Sequence, residues 1–381
     1  MRSLPNSTQR PAPIATGERI TNLDAIRGVA VLGILLMNAV SFGLPEAAYF
    51  NLSAGGSDTW LDWLIGIAGE VFVDQKTMGL FSMLFGAGIV LFAERASTKS
   101  PHPTWLALWR NGLLLLVGLV HGLFWAGDVL QVYAICAPLL IFMSRFKSRT
   151  LLVLGTALVL WSAFIAVLVQ STVPASGSGL GEYWLLDGSE ISDSVGLFLL
   201  NDFFSRSLGM MLIGVALYRL KVFHGQLGPD VYRRMVRLGL GFGLPIAMAG
   251  VALQLVADWK PSIAVIGEAP NTLATIPVSL GYVGAITLWN QRRAGAMHHR
   301  IHAAGRMALT NYLSATAIGL LVLRGVFDGD SSRTLILGFV FVVWTFQLAW
   351  SKPWLDRYRY GPAEWLWRSA TYRKLQPLRR S

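Results

Sequence analysis

Cysteine and charge are both scarce in this chain of 381 residues. Its single cysteine, Cys136, lies within an apolar stretch, so the sequence excludes a disulfide framework and a cysteine-based metal cluster. Charged residues make up 14% of the positions, although 54% are hydrophobic. Soluble domains carry about a quarter charged residues at a similar apolar fraction. The scarcity of charge therefore indicates that the surface is apolar and that lipid is its solvent.

Apolar stretches recur along the whole chain. Because about 20 apolar residues cross the hydrocarbon core of a bilayer, we predict an all-α, polytopic transmembrane helical bundle with about ten spans. A single transmembrane domain would occupy residues 23–370, between a disordered cytoplasmic tail at 1–22 and a basic cytoplasmic tail at 371–381. The predicted spans cover residues 25–44, 79–94, 106–124, 128–144, 150–170, 203–220, 236–256, 272–290, 306–324 and 334–352.

The distribution of charge predicts the orientation of the bundle. The chain has 32 Lys and Arg against 21 Asp and Glu, a net charge of +11. When alternate connections are assigned to two sides, 27 of the 32 basic residues fall on the side of the N-terminus. The five on the other side are Lys76, Arg206, Lys260, Arg324 and Arg333. The positive-inside rule then places both termini in the cytoplasm. Since the basic excess follows topology, membrane lipids with anionic headgroups are the expected partners and nucleic acid is not.

The hairpin between the third and fourth predicted spans carries an ionisable pair. His121 is the only histidine well inside a predicted span, Asp128 follows it after a tight turn, and Gln131 lies one turn further on. Ionisable groups within a membrane are rare and often functional. A carboxylate that orients an imidazole raises its basicity, as a general base requires. We predict a catalytic pair of His121 and Asp128; the alternative is a helix-capping aspartate beside a structural histidine.

A second set of polar residues lies at the cytoplasmic ends of the predicted spans or on the same face of the first span. Arginine is suited to phosphate because its planar fork binds two oxygens, so we predict that this set binds a substrate that carries phosphate. The alternative is that the arginines extend to lipid headgroups. The residues are Asp24, Arg27, Asn38, Arg306, Thr310, Asn311, Glu364 and Arg368, and Gln131 of the hairpin is predicted to bind the same ligand.

Three histidines near residue 300 raise the question of a metal site. His298 and His302 are spaced to share one helix face, with His299 beside them. No Asp or Glu accompanies them in this basic segment, so we predict no metal.

Together these motifs resemble a known bacterial family. In their order along nearly the whole chain, they look like YeiB-type inner-membrane proteins, which carry the "domain of unknown function 418" region. The resemblance implies a multi-pass protein of the bacterial cytoplasmic (inner) membrane. The segments that carry it are 23–38, 84–88, 121–130, 306–312 and 361–368.

The Asp24-x-x-Arg27-Gly28 opening is also distantly similar to heparan-α-glucosaminide N-acetyltransferases and to membrane acyltransferases that modify surface polysaccharides. Those enzymes move an acyl group from cytoplasmic acyl-CoA to a sugar hydroxyl or amine across the membrane. The resemblance therefore implies acyl-CoA as the donor and a glycan or small molecule as the acceptor. In the polysaccharide acyltransferases a histidine follows the Arg-Gly pair by about ten residues, where this chain has Asn38. Because asparagine cannot act as a base, His121 is expected to take that role.

Two functions stay open at this point. An acyltransferase predicts a cavity that joins the cytoplasmic arginines to His121. A transporter of a small solute or lipid-linked precursor is the alternative, because intramembrane Asp, His and Asn also mark solute and proton pathways. The sequence has neither an inverted repeat nor a matched pair of Gly- or Pro-broken helices, which are the usual pointers to such transporters.

Overall fold

A computed structural model of the protein describes residues 20–98, 100–185, 192–292 and 294–380. The predicted disordered tail at 1–22 falls almost wholly outside these ranges, and the first helix begins at Thr21. The described residues form thirteen α-helices and no β-strand, which confirms the all-α prediction. The helices are α1 Thr21–Gly43, α2 Trp60–Phe72, α3 Lys76–Ser97, α4 Pro103–Gly122, α5 Val129–Met143, α6 Ser148–Gln170, α7 Asp193–Arg219, α8 Pro229–Val256, α9 Ala264–Asn290, α10 Ala296–Arg306, α11 Ala308–Gly319, α12 Arg333–Arg357 and α13 Pro362–Tyr372.

Eight helical segments in the described part of the chain are long and apolar enough to cross a membrane. They are α1, α2 together with α3, α4, α6, α7, α8, α9 and α12. The α10–α11 pair passes the same test as one segment, although the two helices are bent by 83°. Helix α5 has only 15 residues and is shorter than a span. Each of the ten predicted spans thus contains a helix. Nine of these helical segments pass the test when the bent pair counts as one, and the predicted span at 128–144 contains only the short helix α5.

The helix ends gather at two opposite sides of the bundle. At one, which we call the N-terminal side, Asn22 Nδ2 donates to the carbonyl of Phe223 at 3.2 Å, and Asn290 Nδ2 donates to Asn22 Oδ1 at 3.2 Å. At the opposite side, the Ser331 N–H donates to the carbonyl of Gly43 at 3.0 Å. This arrangement agrees with the alternating connections of the predicted topology. That the N-terminal side faces the cytoplasm stays a prediction from the positive-inside rule.

Helix α1 lies inside the bundle and packs against α3, α9, α10, α11 and α12. Its crossing with α10 requires glycine on both helices. A Cβ at Gly28 would collide with the Ile301 carbonyl, and one at Gly305 would collide with the backbone of Asp24. The close crossing brings the first turn of α1 next to the end of α10.

Large apolar side chains cover the outer faces of the helices. At the tip of the α4–α5 hairpin, Leu123 is 82% exposed and Phe124 is 68% exposed, and Leu116 and Val120 are exposed on α4. Monomeric soluble proteins rarely expose large contiguous apolar patches. Together with the apolar spans, this surface is that of a multi-pass membrane protein.

The bend between α10 and α11 is held by a buried amide network. Asn311 Nδ2 donates to the carbonyl of Ala304 and to Ser351 Oγ, each at 3.2 Å. Gln347 Nε2 on α12 donates to the carbonyl of Asn311 at 2.9 Å. Because these bonds fix the backbone on both sides of Met307, α11 is held in a defined direction.

Candidate functional site

The α4–α5 hairpin brings His121 and Asp128 together. His121 Nδ1 lies 3.0 Å from Asp128 Oδ1, and the two side chains are 9% and 0% exposed. Asp128 is also the N-cap of α5, where Oδ1 accepts from the Leu130 N–H at 3.2 Å. The same oxygen accepts from the Tyr312 hydroxyl at 2.8 Å. Asp128 is therefore both a helix cap and the neighbour of the imidazole. The first role was predicted by the structural alternative and the second by the catalytic one.

The His121–Asp128 contact has hydrogen-bond distance without hydrogen-bond geometry. Among the described residues, neither ring nitrogen of His121 nor Asp128 Oδ2 has a hydrogen-bond partner. Buried polar atoms left unsatisfied cost free energy, and native proteins keep few of them. Three such atoms at one place make this hairpin the strongest candidate for a reacting centre.

Aromatic rings enclose the imidazole. The His121 ring lies 5.8 Å from the Trp125 ring and 5.4 Å from the Tyr312 ring, measured between centroids. Gln131 lies beside the pair but faces α4, where its Nε2 donates to the Gly118 carbonyl at 3.1 Å. It therefore ties the two arms of the hairpin together.

A cavity of about 800 Å³ lies at the N-terminal side of the bundle. Two of its acids are bound to other groups: Asp24 pairs with Arg27 at 3.3 Å, and Glu94 accepts from the Tyr218 hydroxyl at 2.7 Å. The third acid in its wall is Glu364. The arginines outnumber these acids two to one, so the cavity is basic. They are Arg27, Arg95, Arg110, Arg306, Arg359 and Arg368.

Helix α13 forms part of the wall of this cavity. Its Glu364 accepts from the N–H groups of Leu309 and Thr310 at 2.7 and 3.1 Å, and from the Thr310 hydroxyl at 2.5 Å. These are free N–H groups of the first turn of α11, where a carboxylate is favourable. Glu364 thus caps α11 and joins α13 to it.

Two arginines of the cavity stack on aromatic rings. The guanidinium of Arg110 lies 3.6 Å from the centre of the Trp367 ring and 4.7 Å from that of Phe92. Arg368 lies 4.7 Å from the ring centre of Tyr360. Stacking fixes the direction of a guanidinium while leaving its N–H donors available.

The inner end of the cavity reaches the neighbourhood of His121. Phe81, Leu84 and Phe85 of α3 form its apolar wall, and Leu130 and Tyr312 also line it. Tyr312 is 4% exposed, and its hydroxyl holds Asp128. His121 is not in the wall, so the cavity that the acyltransferase prediction requires ends at Tyr312 and does not reach the imidazole.

Some predicted binding residues lie elsewhere. Asn38 is half-buried on α1, next to the turn at which Ser41 accepts from Trp125 Nε1 at 3.0 Å. Of the predicted set, the cavity wall includes five residues: Asp24, Arg27, Arg306, Glu364 and Arg368. Four others do not line it: Asn38, Gln131, Thr310 and Asn311.

Comparison with known proteins identifies the family of this chain. A family model described as "Protein of unknown function (DUF418)" matches residues 217–374. The chain is 34% identical to "Uncharacterized protein YeiB" of Escherichia coli (strain K12) over an alignment of 389 residues, which covers 94% of this chain and 98% of that protein. This chain belongs to the DUF418 family. The part that matches the family model includes the α10–α11 bend and Arg306, Arg359 and Arg368; His121 and Asp128 lie before it.

DUF418 relatives occur beyond Escherichia. "Uncharacterized protein YxaH" of Bacillus subtilis (strain 168) is 29% identical over 401 residues, which covers 96% of this chain and 97% of that protein. "Uncharacterized 39.9 kDa protein in amylase 3'region" of Bacillus acidopullulyticus is 28% identical over 372 residues, with coverage of 96% and 97%. The chain therefore corresponds to these relatives over nearly their whole length.

Sequence reasoning missed a second polar cluster, on the opposite side of the bundle. Carboxylate oxygens of Glu70, Asp74 and Glu268 lie within 4.8 Å of one another. The topology prediction assigned Lys76 and Arg206 to the outer connections, but they are 0% and 5% exposed. The available signal was the spacing of Glu70, Asp74 and Lys76 within an apolar helical stretch.

Proposed function

We propose that this protein is a membrane acyltransferase of the bacterial cytoplasmic membrane. It moves an acyl group from cytoplasmic acyl-CoA to a hydroxyl or amine of an envelope glycan or small molecule. One observation carries the proposal: the cavity has arginines at the N-terminal side, an apolar wall, and at its inner end Tyr312, which is bonded to Asp128 beside His121.

The shape and charge of the cavity suit the donor. Coenzyme A carries phosphates at one end and its thioester at the end of a long, narrow arm. Arginine binds phosphate oxygens in pairs, and Phe81, Leu84 and Phe85 offer the arm an apolar wall. The volume of about 800 Å³ is within the range of about 300–1,000 Å³ usual for small-molecule sites.

His121 would act as the base. Its Nδ1 faces Asp128, which leaves Nε2 to take the proton from the acceptor. The acceptor oxygen or nitrogen attacks the thioester carbonyl, the carbon–sulfur bond breaks, and the thiolate leaves with the proton that His121 returns. Asp128, itself held by Tyr312 and by the N-terminus of α5, would keep the imidazole oriented.

Transport of a small solute or lipid-linked precursor is the second candidate function. Two observations favour it: the 83° bend between α10 and α11, and the break between α2 and α3 beside the carboxylates of Glu70, Asp74 and Glu268. Broken helices with polar groups at the break are typical of secondary transporters. Transport predicts solute flux without consumption of acyl-CoA.

Acetyl-CoA binding to the purified protein in detergent tests the enzyme proposal. A ligand at a hundredfold excess over its Kd stabilises a protein by about 2.7 kcal/mol, which a thermal-shift titration detects. We expect saturable stabilisation that is weakened in Arg27→Gln and Arg368→Gln. The matched control is Arg233→Gln, whose side chain is 62% exposed in the first turns of α8, on the same side of the bundle.

His121→Gln separates binding from chemistry. We expect this variant to bind acetyl-CoA as wild type does and to lose acyl transfer, followed as release of free thiol. Equal stabilisation in Arg27→Gln and Arg233→Gln would contradict the proposed cavity. If neither acetyl-CoA nor longer acyl-CoAs bind at all, the enzyme proposal is wrong, and solute flux into liposomes becomes the deciding assay.

A further inference from the structure

The cluster on the opposite side of the bundle surrounds a small cavity of about 40 Å³. Four carboxylates line it, from α2, the break before α3, α7 and α9: those of Glu70, Asp74, Asp202 and Glu268. They come from segments up to about 200 residues apart in sequence, so only the fold brings them together.

Protein groups satisfy two of these carboxylates. Asp202 Oδ2 accepts from Arg206 Nε at 2.8 Å, and its Oδ1 accepts from the Ser162 hydroxyl. The two oxygens of Glu268 accept from the amides of Gln75 and Gln254, each at 3.0 Å. A carboxylate has about four acceptor sites, so Glu268, whose oxygens lie near those of Glu70 and Asp74, can still bind a cation.

Asp74 and Glu70 are less completely bound. Asp74 Oδ2 accepts from Asn271 Nδ2 at 2.8 Å. Glu70 is 7% exposed and lines the cavity, yet no hydrogen bond among the described residues reaches its carboxylate. Lys76 does not fill this role, because its Nζ donates to the Glu70 backbone carbonyl at 2.6 Å and to Asn271 Oδ1.

The charges in the cluster do not balance. Four carboxylates face two basic side chains, Lys76 and Arg206, which leaves two negative charges; Glu70 is buried and the other three carboxylates are half-buried. A third base, Arg333, donates to Ser57 Oγ and to the Ala48 carbonyl, and its acidic neighbours are Glu70 and Asp62. When Arg333 and Asp62 are both counted, five carboxylates face three bases, so the excess is still two negative charges. An uncompensated buried charge costs several kcal/mol, so the cluster calls for additional positive charge.

The ligand atoms are those of a hard cation. Carboxylate and amide oxygens suit Ca²⁺ and Mg²⁺ rather than softer metals. Calcium binds oxygens at about 2.3–2.6 Å, and the oxygens of Glu70, Asp74 and Glu268 lie within 4.8 Å of one another, so one ion can reach all three. Magnesium needs shorter contacts in a nearly ideal octahedron.

We propose that Glu70, Asp74 and Glu268 bind one divalent cation, with Ca²⁺ as the best fit. Two positive charges match the two uncompensated carboxylates, and the cavity has room for about one ion. This site departs from the sequence expectation of no metal. It is independent of the acyltransferase proposal, because it lies on the opposite side of the bundle from the arginine cavity.

Calcium binding to the whole protein in detergent tests the site. After treatment with EDTA, we expect saturable thermal stabilisation and isothermal titration heats with Ca²⁺ at one site per chain. The apparent affinity should fall by about tenfold or more in Glu70→Gln. The matched control is Asp258→Asn, on the same side of the bundle with its side chain 79% exposed; its affinity should equal that of wild type.

Each alternative gives a distinct result. Absence of saturable Ca²⁺ or Mg²⁺ binding in folded, monodisperse wild-type protein overturns the proposal; stabilisation on acidification alone would then assign the cluster to protons. Equal Ca²⁺ affinity in Glu70→Gln and wild type places the ion elsewhere and also overturns it. If Glu70→Gln does not fold, Glu268→Gln takes its place in the same comparison. The proposal is supported if Glu70→Gln is more stable than metal-free wild type and is not stabilised further by Ca²⁺.

Discussion

The two polar regions of this protein differ in size and in how their charges are bound. The arginine cavity on the N-terminal side has about 800 Å³ and a wall with twice as many arginines as acids. The acidic cluster on the opposite side has about 40 Å³, and protein groups contact most of its charges. The arginines of the first region line an open cavity, whereas Lys76 and Arg206 in the second region are buried in the packing.

This difference has an energetic consequence. Truncating one partner of a buried, hydrogen-bonded charge network leaves the other partner unpaired and is strongly destabilising. Removing an arginine from the wall of an open cavity leaves its neighbours access to water, so the protein loses little stability. The acidic cluster should therefore respond to substitution through folding, and the arginine cavity through ligand binding.

The largest effect is expected for Lys76→Met. Lys76 is fully buried, and its Nζ holds Asn271 and the carbonyl of Glu70. Its loss should lower the free energy of unfolding by about 3–5 kcal/mol, the usual cost of breaking a buried ion network. Thermal unfolding in detergent measures it, with Lys260→Met as the control because that side chain is 65% exposed. Similar melting temperatures for the two variants would contradict a structural role for the cluster.

An intermediate effect is expected for Tyr312→Phe, at the inner end of the arginine cavity. The hydroxyl donates to the Asp128 carboxylate in a buried place. Hydrogen bonds to charged groups contribute about 1.5–3 kcal/mol, against about 0.5–1.5 kcal/mol for neutral ones. Tyr232→Phe is the matched control, since that buried hydroxyl donates to the neutral Val222 carbonyl at 2.9 Å.

Each of the two substitutions removes only a hydroxyl oxygen, so the difference in stability between the variants reports on the acceptor of the lost hydrogen bond. Urea unfolding of both variants should rank Tyr312→Phe as the less stable. The reverse order would mean that Asp128 is neutral or that Tyr312 is not its donor, and it would weaken the proposed orientation of His121.

Sequence patterns identified what is local in this molecule. The apolar stretches predicted all-α spans, and the short separation of His121 and Asp128, with six residues and a turn between them, was enough to propose that they meet. Three of the six arginines in the cavity wall, Arg27, Arg306 and Arg368, were predicted as a group because they share one side of the predicted topology. Each of these inferences needed only neighbours in sequence or a count of spans.

What the sequence did not reveal depends on distant pairing. Asn271 meets Asp74 across 197 positions, and no local pattern relates the two. The topology prediction counted the outer acids and bases as charges in loops. For that reason it did not reveal that Lys76 and Arg206 are buried. Likewise, Asn311 was predicted to bind substrate because it is polar near Arg306, while the structure shows it joining α10, α11 and α12.

The smallest effect on stability is expected for Arg27→Gln. Arg27 pairs with Asp24 at i,i+3, with side chains 29% and 16% exposed, and Arg233 pairs with Asp230 in the same spacing at 62% and 90%. Exposed ion pairs contribute about 0.2–1 kcal/mol, and the half-buried Arg27–Asp24 pair is comparable because it lines an open cavity. Both Arg27→Gln and Arg233→Gln should therefore unfold within about 1 kcal/mol of wild type in the absence of ligand. Only Arg27→Gln should then lose stabilisation by acetyl-CoA. A large loss of stability in Arg27→Gln without ligand would show that the arginine holds α1 in place. The distinction between an open basic cavity and a packed acidic cluster would then not hold at Arg27.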